Sequence, residues 1–479
     1  MVGHGAQGWL AAQGLFVMAP IRLECRVMSR SPDNAAASWS SPSRFFLVGL
    51  GALAGMDSFS EFPYLLTHYG GGSFVAVYAL ALLAIAWPLL GAELAVGRRA
   101  GDGGRCADAI VRAVPGRPWR WAVRAASLGG FLMFCYVAVV AGWMLSYLHA
   151  ALAGDFRGAT AAFVETRFAH LAAYPGPLLA WEALFLLLVF LVSAGGLRAI
   201  EDLSYLLVPG LLALLVTLVV FAATLGSFFV SVPALLAPRA TPSGMTLVLV
   251  ALSQAFFGPG LGTASLLAYG VSLRSSVSAG RMALVLVLAQ VFAAWLGGFA
   301  LASLAFAAGL SPLAGGGFLF ETLPLMDARL PHGALVIVLC YLGLISAAWL
   351  SGVAWLEPAM QLLMARGIPR GRAALRLGLT AFAVGAVLTL SLKSWAFSFT
   401  FFGRLKTLGL LDVVMIIAVN VLLPWGAGGL SLLMGWAPAG LFARRDALDG
   451  RLRLWLWALR LLVPAAILVV ILTAPRLVL

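Results

Sequence analysis

Charged residues are scarce in this sequence. Aspartate, glutamate, lysine and arginine make up 10% of the 479 residues, whereas hydrophobic residues make up 62%. Soluble domains contain about 25% charged residues, and no soluble core could bury this much apolar surface. The chain is therefore predicted to be an all-α polytopic membrane protein, with the lipid bilayer as its first partner.

Cysteine and histidine are scarce as well. The four cysteines show no CxxC spacing and the five histidines are scattered along the chain, so we expect neither disulfides nor a metal cluster. A membrane enzyme would need catalytic groups gathered at one membrane face, and the isolated histidines do not provide them. We predict no catalytic residues, no enzymatic cofactor and no enzyme activity.

Acidic charge is the rarer sign, because 31 basic residues outnumber 18 acidic ones and the net charge is +13. We do not interpret this excess as a nucleic-acid-binding surface, since most of the basic residues fall in alternate segments between apolar runs. Basic loops of membrane proteins lie predominantly on the cytoplasmic side. The N-terminus is therefore predicted to be cytoplasmic and, with an odd number of spans, the C-terminus outside.

Long apolar runs are abundant. A membrane-spanning helix needs roughly 20 apolar residues, whereas the segment 157–172 is too mixed to span. Eleven spans are predicted, at 44–68, 73–96, 122–152, 176–195, 203–225, 245–272, 281–308, 333–364, 373–392, 408–436 and 454–474. Residues 1–40 are assigned to a cytoplasmic segment. We interpret the first 27 of them as a mis-assigned extension or a disordered tail, because Met28 begins a normal cytoplasmic start.

Two of the predicted spans are interrupted at corresponding places. Helix 1 is broken at Gly55-Met56-Asp57-Ser58, and helix 6 is broken within FFGPGLG, residues 256–262. In the second stretch Pro259 removes a backbone donor and three glycines relax the chain. Helix 1 opens the first set of five helices and helix 6 opens the next. Paired interruptions of this kind indicate a transporter with an inverted repeat and a binding site between the breaks.

The sequence around these breaks resembles the neurotransmitter:sodium symporter family. The resemblance is carried by SWSSPSRFFLVGLGALAG, GLRAIEDLSYLLVPGLLAL, ALSQAFFGPGLGTASLLAYGVSL and LLDVVMIIAVNVLLPWGAGGLSLLMGW, in family order between about residues 39 and 436. It implies a leucine-transporter-like fold of two inverted five-helix repeats, at 41–225 and 226–436. A basic loop and an extra helix would follow in 437–479, as in eleven-helix bacterial members, which indicates a bacterial inner membrane.

The resemblance implies ion-coupled symport of a small amino acid or organic amine by alternating access. Two alternatives stay open: a transporter-derived sensor that does not transport, and a proton-coupled carrier that uses Asp57. Sodium is the expected coupling ion and H⁺ the alternative. The oligomeric state is left open.

The sodium sites implied by the resemblance are altered in this sequence. The second site would use the carbonyls of Gly51, Ala54 and Ala347 and the hydroxyl of Ser351, but Leu350 occupies the position of its other hydroxyl. This site is expected to be weakened rather than abolished. In the first site Ser58 replaces an asparagine and Gly258 a hydroxyl residue, while the helix 7 asparagine position falls near Leu301. A standard first sodium site is therefore not expected.

The substrate and gate positions are altered too. Val137 stands where a tyrosine would hold a carboxylate, Tyr136 lies about 100° away on the helix, and Asp57 replaces a glycine. Phe257 matches the aromatic lid of the pocket. At the outer gate Glu61 replaces an arginine that would pair with Asp412. The full set of implied substrate positions is Asp57, Ser58, Tyr136, Val137, Phe257, Gly258, Gly260 and Ser351.

A carboxylate in mid-membrane is the least expected of these features, because inserting one costs about 2.5–3.5 kcal/mol. Asp57 could pair with a substrate amine, carry charge in place of the first sodium site, or take up and release a proton. The structural alternative is that it caps the second half of helix 1. Arg404 and Lys406, near the start of helix 10, are candidate replacement cations for the gate.

Overall fold

The computed structural model describes residues 38–102, 117–237, 244–313, 316–392, 396–401, 404–436 and 452–478. All but the last three residues of the predicted N-terminal segment lie outside these ranges. So do 437–451 of the predicted basic loop.

The membrane helices agree with the predicted number of spans. Eight helices are long and apolar enough to cross a bilayer, and the bent pair Pro42–Leu53 and Asp57–His68 makes a ninth. The helix Gly176–Thr224 has 49 residues, about 74 Å at 1.5 Å per residue, which is more than twice the thickness of the bilayer core. Its backbone leaves the helical region at Gly196, so it contains two spans. Gly244–Phe257 and Ser265–Gly270 flank the second break and together form the remaining one.

We number the spans in chain order. They are span 1 (Pro42–Leu53 and Asp57–His68), span 2 (Gly72–Arg99), span 3 (Trp121–Ala153), spans 4 and 5 (the two parts of Gly176–Thr224), span 6 (Gly244–Phe257 and Ser265–Gly270), span 7 (Ala279–Ala307), span 8 (Gly333–Met364), span 9 (Arg370–Ser391), span 10 (Leu410–Trp436) and span 11 (Arg453–Leu472).

Two boundaries differ from the sequence prediction. The predicted gap at 196–202 between helices 4 and 5 is wrong, because the chain is helical there except at Gly196, whose φ of 81° favours glycine. The segment that was too mixed to span forms the short helix Ala161–Ala173. A two-stranded antiparallel hairpin, β1 (Ala396–Phe401) and β2 (Arg404–Gly409), joins spans 9 and 10. The all-α prediction holds for the spans, and the hairpin is an addition that hydropathy could not anticipate.

Within the described ranges, four π-helical turns interrupt otherwise regular helices, and each ends two residues before a proline. Proline lacks an N–H and clashes with the carbonyl four residues earlier. A widened turn relieves that clash within a continuous helix, and such turns are a known cause of bending. The turns are Leu82–Ala86, Phe318–Thr322, Ile417–Leu422 and Ala458–Leu462, ahead of Pro88, Pro324, Pro424 and Pro464.

The chain before span 1, the start of span 5 and the chain after span 6 meet on one side of the bundle. The chain after span 1 and the chain after span 5 meet on the other side. Before span 1, the Ser40 amide donates to the Glu201 carboxylate at 2.6 Å, at the start of span 5. The Trp39 amide donates to the Ser272 carbonyl at 3.2 Å, just after span 6. After span 1, Gly71 lies against the carbonyl of Leu235, which follows span 5. This alternation matches the predicted course of the chain.

Spans 2 and 6 cross closely because glycines form the contact. A Cβ atom placed on Gly97 would overlap the Leu267 carbonyl, and one placed on Gly270 would lie 2.9 Å from the Leu94 carbonyl. Small residues at helix crossings are the usual way for membrane helices to gain packing energy, since lipid gives them no hydrophobic drive to associate. This crossing positions the second half of span 6.

Gly97→Ala should force spans 2 and 6 apart. Overpacking of a close contact typically lowers the free energy of unfolding by about 1–3 kcal/mol, so the melting temperature of the purified variant should fall. Gly378→Ala in span 9 is the matched control, because its added methyl meets open space. Equal melting temperatures for the two variants would contradict the assigned contact.

Candidate functional site

Span 1 is broken after Leu53, and the break releases backbone carbonyls. The Gly55 amide bonds to the Leu53 carbonyl at 2.8 Å, and the Ser58 amide bonds to the Gly55 carbonyl at 3.0 Å. Neither amide therefore bonds to the carbonyl four residues earlier. The carbonyls of Gly51 and Ala54 are left without their helical hydrogen-bond partners. The two halves of the span are bent by 65°. Carbonyl oxygens freed in this way suit a hard cation.

Span 6 is broken at the predicted stretch, and the irregular backbone extends two residues beyond it. The first helix ends at Phe257 and the second begins at Ser265. Gly260 and Gly262 have φ angles of 64° and 87°, which glycine adopts without strain. The Leu261 amide still bonds to the Phe256 carbonyl at 3.1 Å, so the segment is a defined turn.

The two breaks touch each other. A Cβ atom on Gly55 would lie 3.2 Å from the Gly258 carbonyl oxygen. The Ser58 hydroxyl donates to that same carbonyl at 3.2 Å, and the Gln254 side-chain amide donates to the Asp57 carbonyl at 3.3 Å. The broken centres of spans 1 and 6 therefore form one site.

Gln290 of span 7 belongs to this site, a placement that no sequence motif indicated. Its side-chain amide donates to the Ser58 hydroxyl at 2.8 Å, and both residues are buried. The expectation that position 301 would face the site is wrong. Gly297 and Gly298 pack on Phe59 and Phe62, which places Leu301 beyond them and away from Ser58.

Ser58 and Gly258, which stand at the positions of the first sodium site, are thus hydrogen-bonded to each other. The Ser58 oxygen accepts from Gln290 and donates to the Gly258 carbonyl. A sodium ion needs several oxygens turned toward one point, and here two of the oxygens face each other through a shared proton. In this structure the Ser58 hydroxyl is therefore engaged by Gly258 and Gln290.

The second-site positions are better suited to a cation. The Ser351 hydroxyl donates to the Ala347 carbonyl at 2.9 Å, and it can turn its lone pairs toward an ion. Leu350 packs against span 1, with its Cδ2 atom 3.1 Å from where a Gly51 Cβ would lie. Span 1 therefore packs against this part of span 8 at Gly51, and the apolar Leu350 side chain occupies the contact.

Asp57 begins the second half of span 1 but does not cap it. The cap residue is Met56, and no side-chain hydrogen bond caps the helix Asp57–Ser60, so the capping alternative is not supported. Within the described ranges the half-buried Asp57 carboxylate forms neither an ion pair nor a side-chain hydrogen bond. Tyr136 of span 3 lies in electrostatic range of Asp57 and of two further carboxylates, Glu61 and Asp412.

The remaining residues predicted for the pocket and the outer gate lie on spans 3, 6 and 10. Val137 is fully buried, whereas its neighbour Tyr136 is half-buried and faces the acids. Asp412 is exposed and accepts from the Gly409 amide at 2.9 Å, which caps span 10. Phe257 is half-buried at the end of the first helix of span 6, edge-on to Phe256 at 5.2 Å. The side chains of Arg404 and Lys406 lie outside the described part of the chain.

On the side of the site nearest the N-terminus, Arg274 joins the turn after span 6 to the chain before span 1. Its guanidinium donates to the carbonyls of Trp39 at 2.9 Å and Ser40 at 2.6 Å. The Trp39 indole donates to the Tyr269 carbonyl at 2.9 Å. The turn after span 6 and the chain before span 1 are therefore joined by both Arg274 and Trp39.

A buried ion pair braces the same side. Arg370 donates to both carboxylate oxygens of Glu357 at 2.9 Å and 2.6 Å, and to the Ser193 carbonyl at 2.7 Å. Gln361 donates to the Ala268 carbonyl at 3.0 Å. Spans 4, 6, 8 and 9 are tied together here, so Glu357 serves packing in this structure rather than an ion path.

Taken together, paired broken helices around a central polar site define a secondary transporter of the leucine-transporter-like fold. The sequence model of the sodium:neurotransmitter symporter family matches residues 36–168. The solved structure of MhsT in complex with L-phenylalanine is similar, with a TM-score of 0.78 and 29% sequence identity over 91% of this chain and 99% of that one.

Curated relatives agree with this class. An uncharacterized sodium-dependent transporter of Bacillus subtilis, YhdH, is 29% identical over 453 residues, 92% of this chain and 98% of that protein. Another from Haemophilus influenzae is 26% identical over 320 residues, 65% of this chain and 70% of its own length. The chain is thus similar to members of the sodium:neurotransmitter symporter family, which are membrane transporters.

Ser58→Ala should loosen the junction between the breaks. It leaves the Gly258 carbonyl and the Gln290 amide without their shared partner, and each buried group left unpaired costs about 1–3 kcal/mol. The melting temperature of the purified protein should fall. Ser127→Ala is the control, since the Ser127 hydroxyl bonds only to the Val123 carbonyl of its own helix at 2.7 Å. A fall no larger than that of the control would contradict the role of Ser58.

Proposed function

We propose that this protein couples sodium movement to the transport of a small organic amine or amino acid, whose ammonium group pairs with Asp57. The observation that carries the proposal is the Asp57 carboxylate at the junction of the two breaks, with no cationic partner among the described side chains. A carboxylate in this environment is stable when a cation neutralises it. A substrate ammonium can do so and then leave.

The charges around Tyr136 favour the same class of substrate. Asp57, Glu61 and Asp412 all act electrostatically on this residue, so the region attracts cations and disfavours a free carboxylate. Val137 offers no hydroxyl to a substrate carboxylate. MhsT was crystallised with an amino acid, which supports a ligand with an ammonium group. The local charge favours amines over amino acids within that class.

Sodium would bind at the second site. Its ligands would be the carbonyls of Gly51, Ala54 and Ala347 and the hydroxyl of Ser351. All four groups are neutral, and Leu350 supplies no oxygen, so we expect a modest sodium affinity. Proton coupling through Asp57 is the competing mechanism, and a sensor without transport is the competing function.

The membrane arrangement extends the proposal. With the N-terminus in the cytoplasm of a bacterial cell, Arg274 would close the inner side of the site and Glu61, Asp412 and Phe257 would line the outer side. Residues 41–225 and 226–436 would be the two inverted repeats, and spans 1, 2, 6 and 7 would rock against the rest. The C-terminus after span 11 would then lie outside.

Asp57→Asn should abolish transport by removing the charge that pairs with the ammonium group. Loss of one partner of a buried pair costs at least about 2 kcal/mol, or roughly 30-fold in affinity. The measurement is uptake of amines and amino acids from a broad panel into liposomes under a sodium gradient. Asp202→Asn is the matched control, because Asp202 forms an exposed ion pair with Arg44. Uptake that is equal in Asp57→Asn and wild type would overturn the role of Asp57.

Ser351→Ala should weaken sodium dependence. Removing one of four ligand oxygens should raise the sodium concentration for half-maximal uptake by about tenfold, equivalent to about 1.4 kcal/mol. Ser127→Ala again serves as the control. Replacing sodium by choline at constant pH, and then varying pH at constant sodium, separates the coupling ions. Uptake that ignores sodium but follows the proton gradient would support the proton-coupled carrier, and ligand binding without uptake would support the sensor.

A further inference from the structure

The indole of Trp355 lies between the two broken centres. Trp355 is on span 8, one turn after Ser351, and its side chain is 2% exposed. A Cβ atom on Gly260 of span 6 would lie 2.7 Å from its Nε1 atom, and one on Gly55 of span 1 would lie 3.7 Å from its six-membered ring. The ring therefore contacts both breaks at once.

Glycines on the neighbouring helices make room for this ring. Gly260 leaves space that any side chain at this position would take from the indole, and a Cβ atom on Gly55 would already touch the ring. Gly130 of span 3 lies against the backbone of the same residue, with a Cβ position 3.3 Å from the Trp355 carbonyl. Spans 1, 3 and 6 all approach span 8 here without side chains of their own.

The buried indole occupies space between the two breaks. Trp355 does not line the nearby cavity of about 10 Å³ at Leu53, Pro259 and Gly260, which has room for about one water molecule. Asp57 is two residues from Gly55 and Gly258 is two residues from Gly260. A substrate held at the breaks through Asp57 would therefore extend its side chain toward the volume that the indole fills.

We infer that Trp355 limits the substrate to compact molecules, of the size of glycine, alanine or a short-chain amine. The inference rests on the proposed function, because it assumes that the ligand lies between the breaks, and it adds the size class. Large aliphatic and aromatic side chains are excluded by the indole. The L-phenylalanine that MhsT binds would not fit beside this residue.

The experiment measures ligand selectivity in purified protein by equilibrium binding in sodium buffer. The ligands are glycine, alanine, leucine and phenylalanine, with methylamine, ethylamine, isopentylamine and phenethylamine as the corresponding amines. Wild type should bind the smaller members at least tenfold more tightly than the larger ones. Trp355→Ala should shift the ratio toward leucine, phenylalanine and phenethylamine by at least tenfold, and Trp355→Phe should shift it by a smaller amount.

The control is Trp349→Ala, which makes the same substitution on another face of span 8 and should keep the wild-type ratio. If Trp355→Ala does not fold, the shift in Trp355→Phe decides the outcome. Equal binding of alanine and phenylalanine by wild type would overturn the size limit and leave the proposed function intact. An unchanged ratio of small-ligand to large-ligand binding in a folded Trp355 variant would also overturn the size limit and leave the proposed function intact. If no amine or amino acid binds to wild type, the proposed function fails and the size limit fails with it.

Discussion

The hydrogen bond between the Ser58 hydroxyl and the Gly258 carbonyl joins the two places where this protein gives up helical structure. Lipid offers no partners for unpaired backbone groups, so irregular backbone at membrane depth must be satisfied by protein or by a polar cavity. The two breaks satisfy part of this requirement through each other. What they leave over, chiefly the carbonyls of Gly51 and Ala54, is available to ligands. Fold and binding site therefore have the same physical origin.

Charge at this junction distinguishes the protein from the pattern that its family resemblance implies. A glycine replaced by Asp57 and an arginine replaced by Glu61 both make the centre more negative. A fixed anion in the membrane is costly unless something neutralises it. A structural cap would remove that need, but Met56 occupies the cap position. The anion is thus best explained by a cation that comes and goes, and this links an unusual residue to transport.

Hydropathy and proline and glycine positions were sufficient to predict the eleven spans and both breaks, because these features are encoded locally. Contacts between distant spans were less accessible. Gln290 and Trp355 look like ordinary core residues in the sequence, and only packing brings them to the breaks. The asparagine position on span 7 was misplaced near Leu301 because that span contains no asparagine to guide the alignment. The contact of Arg274 with the chain before span 1 was not predicted because it joins segments far apart in the sequence. The hairpin was not predicted because its strands are short and flank a turn.

The distribution of charge also constrains how transport would be driven. The proposed sodium ligands are neutral, so a bound sodium adds one full positive charge to the moving site. An ammonium paired with Asp57 adds another, and Asp57 itself remains with the protein when the site empties. Each elementary charge that crosses is worth about 2.3 kcal/mol per 100 mV of membrane potential. A cationic amine would therefore draw about twice as much energy from the potential as a zwitterionic amino acid, which lets a carrier with a single modest sodium site still concentrate its substrate.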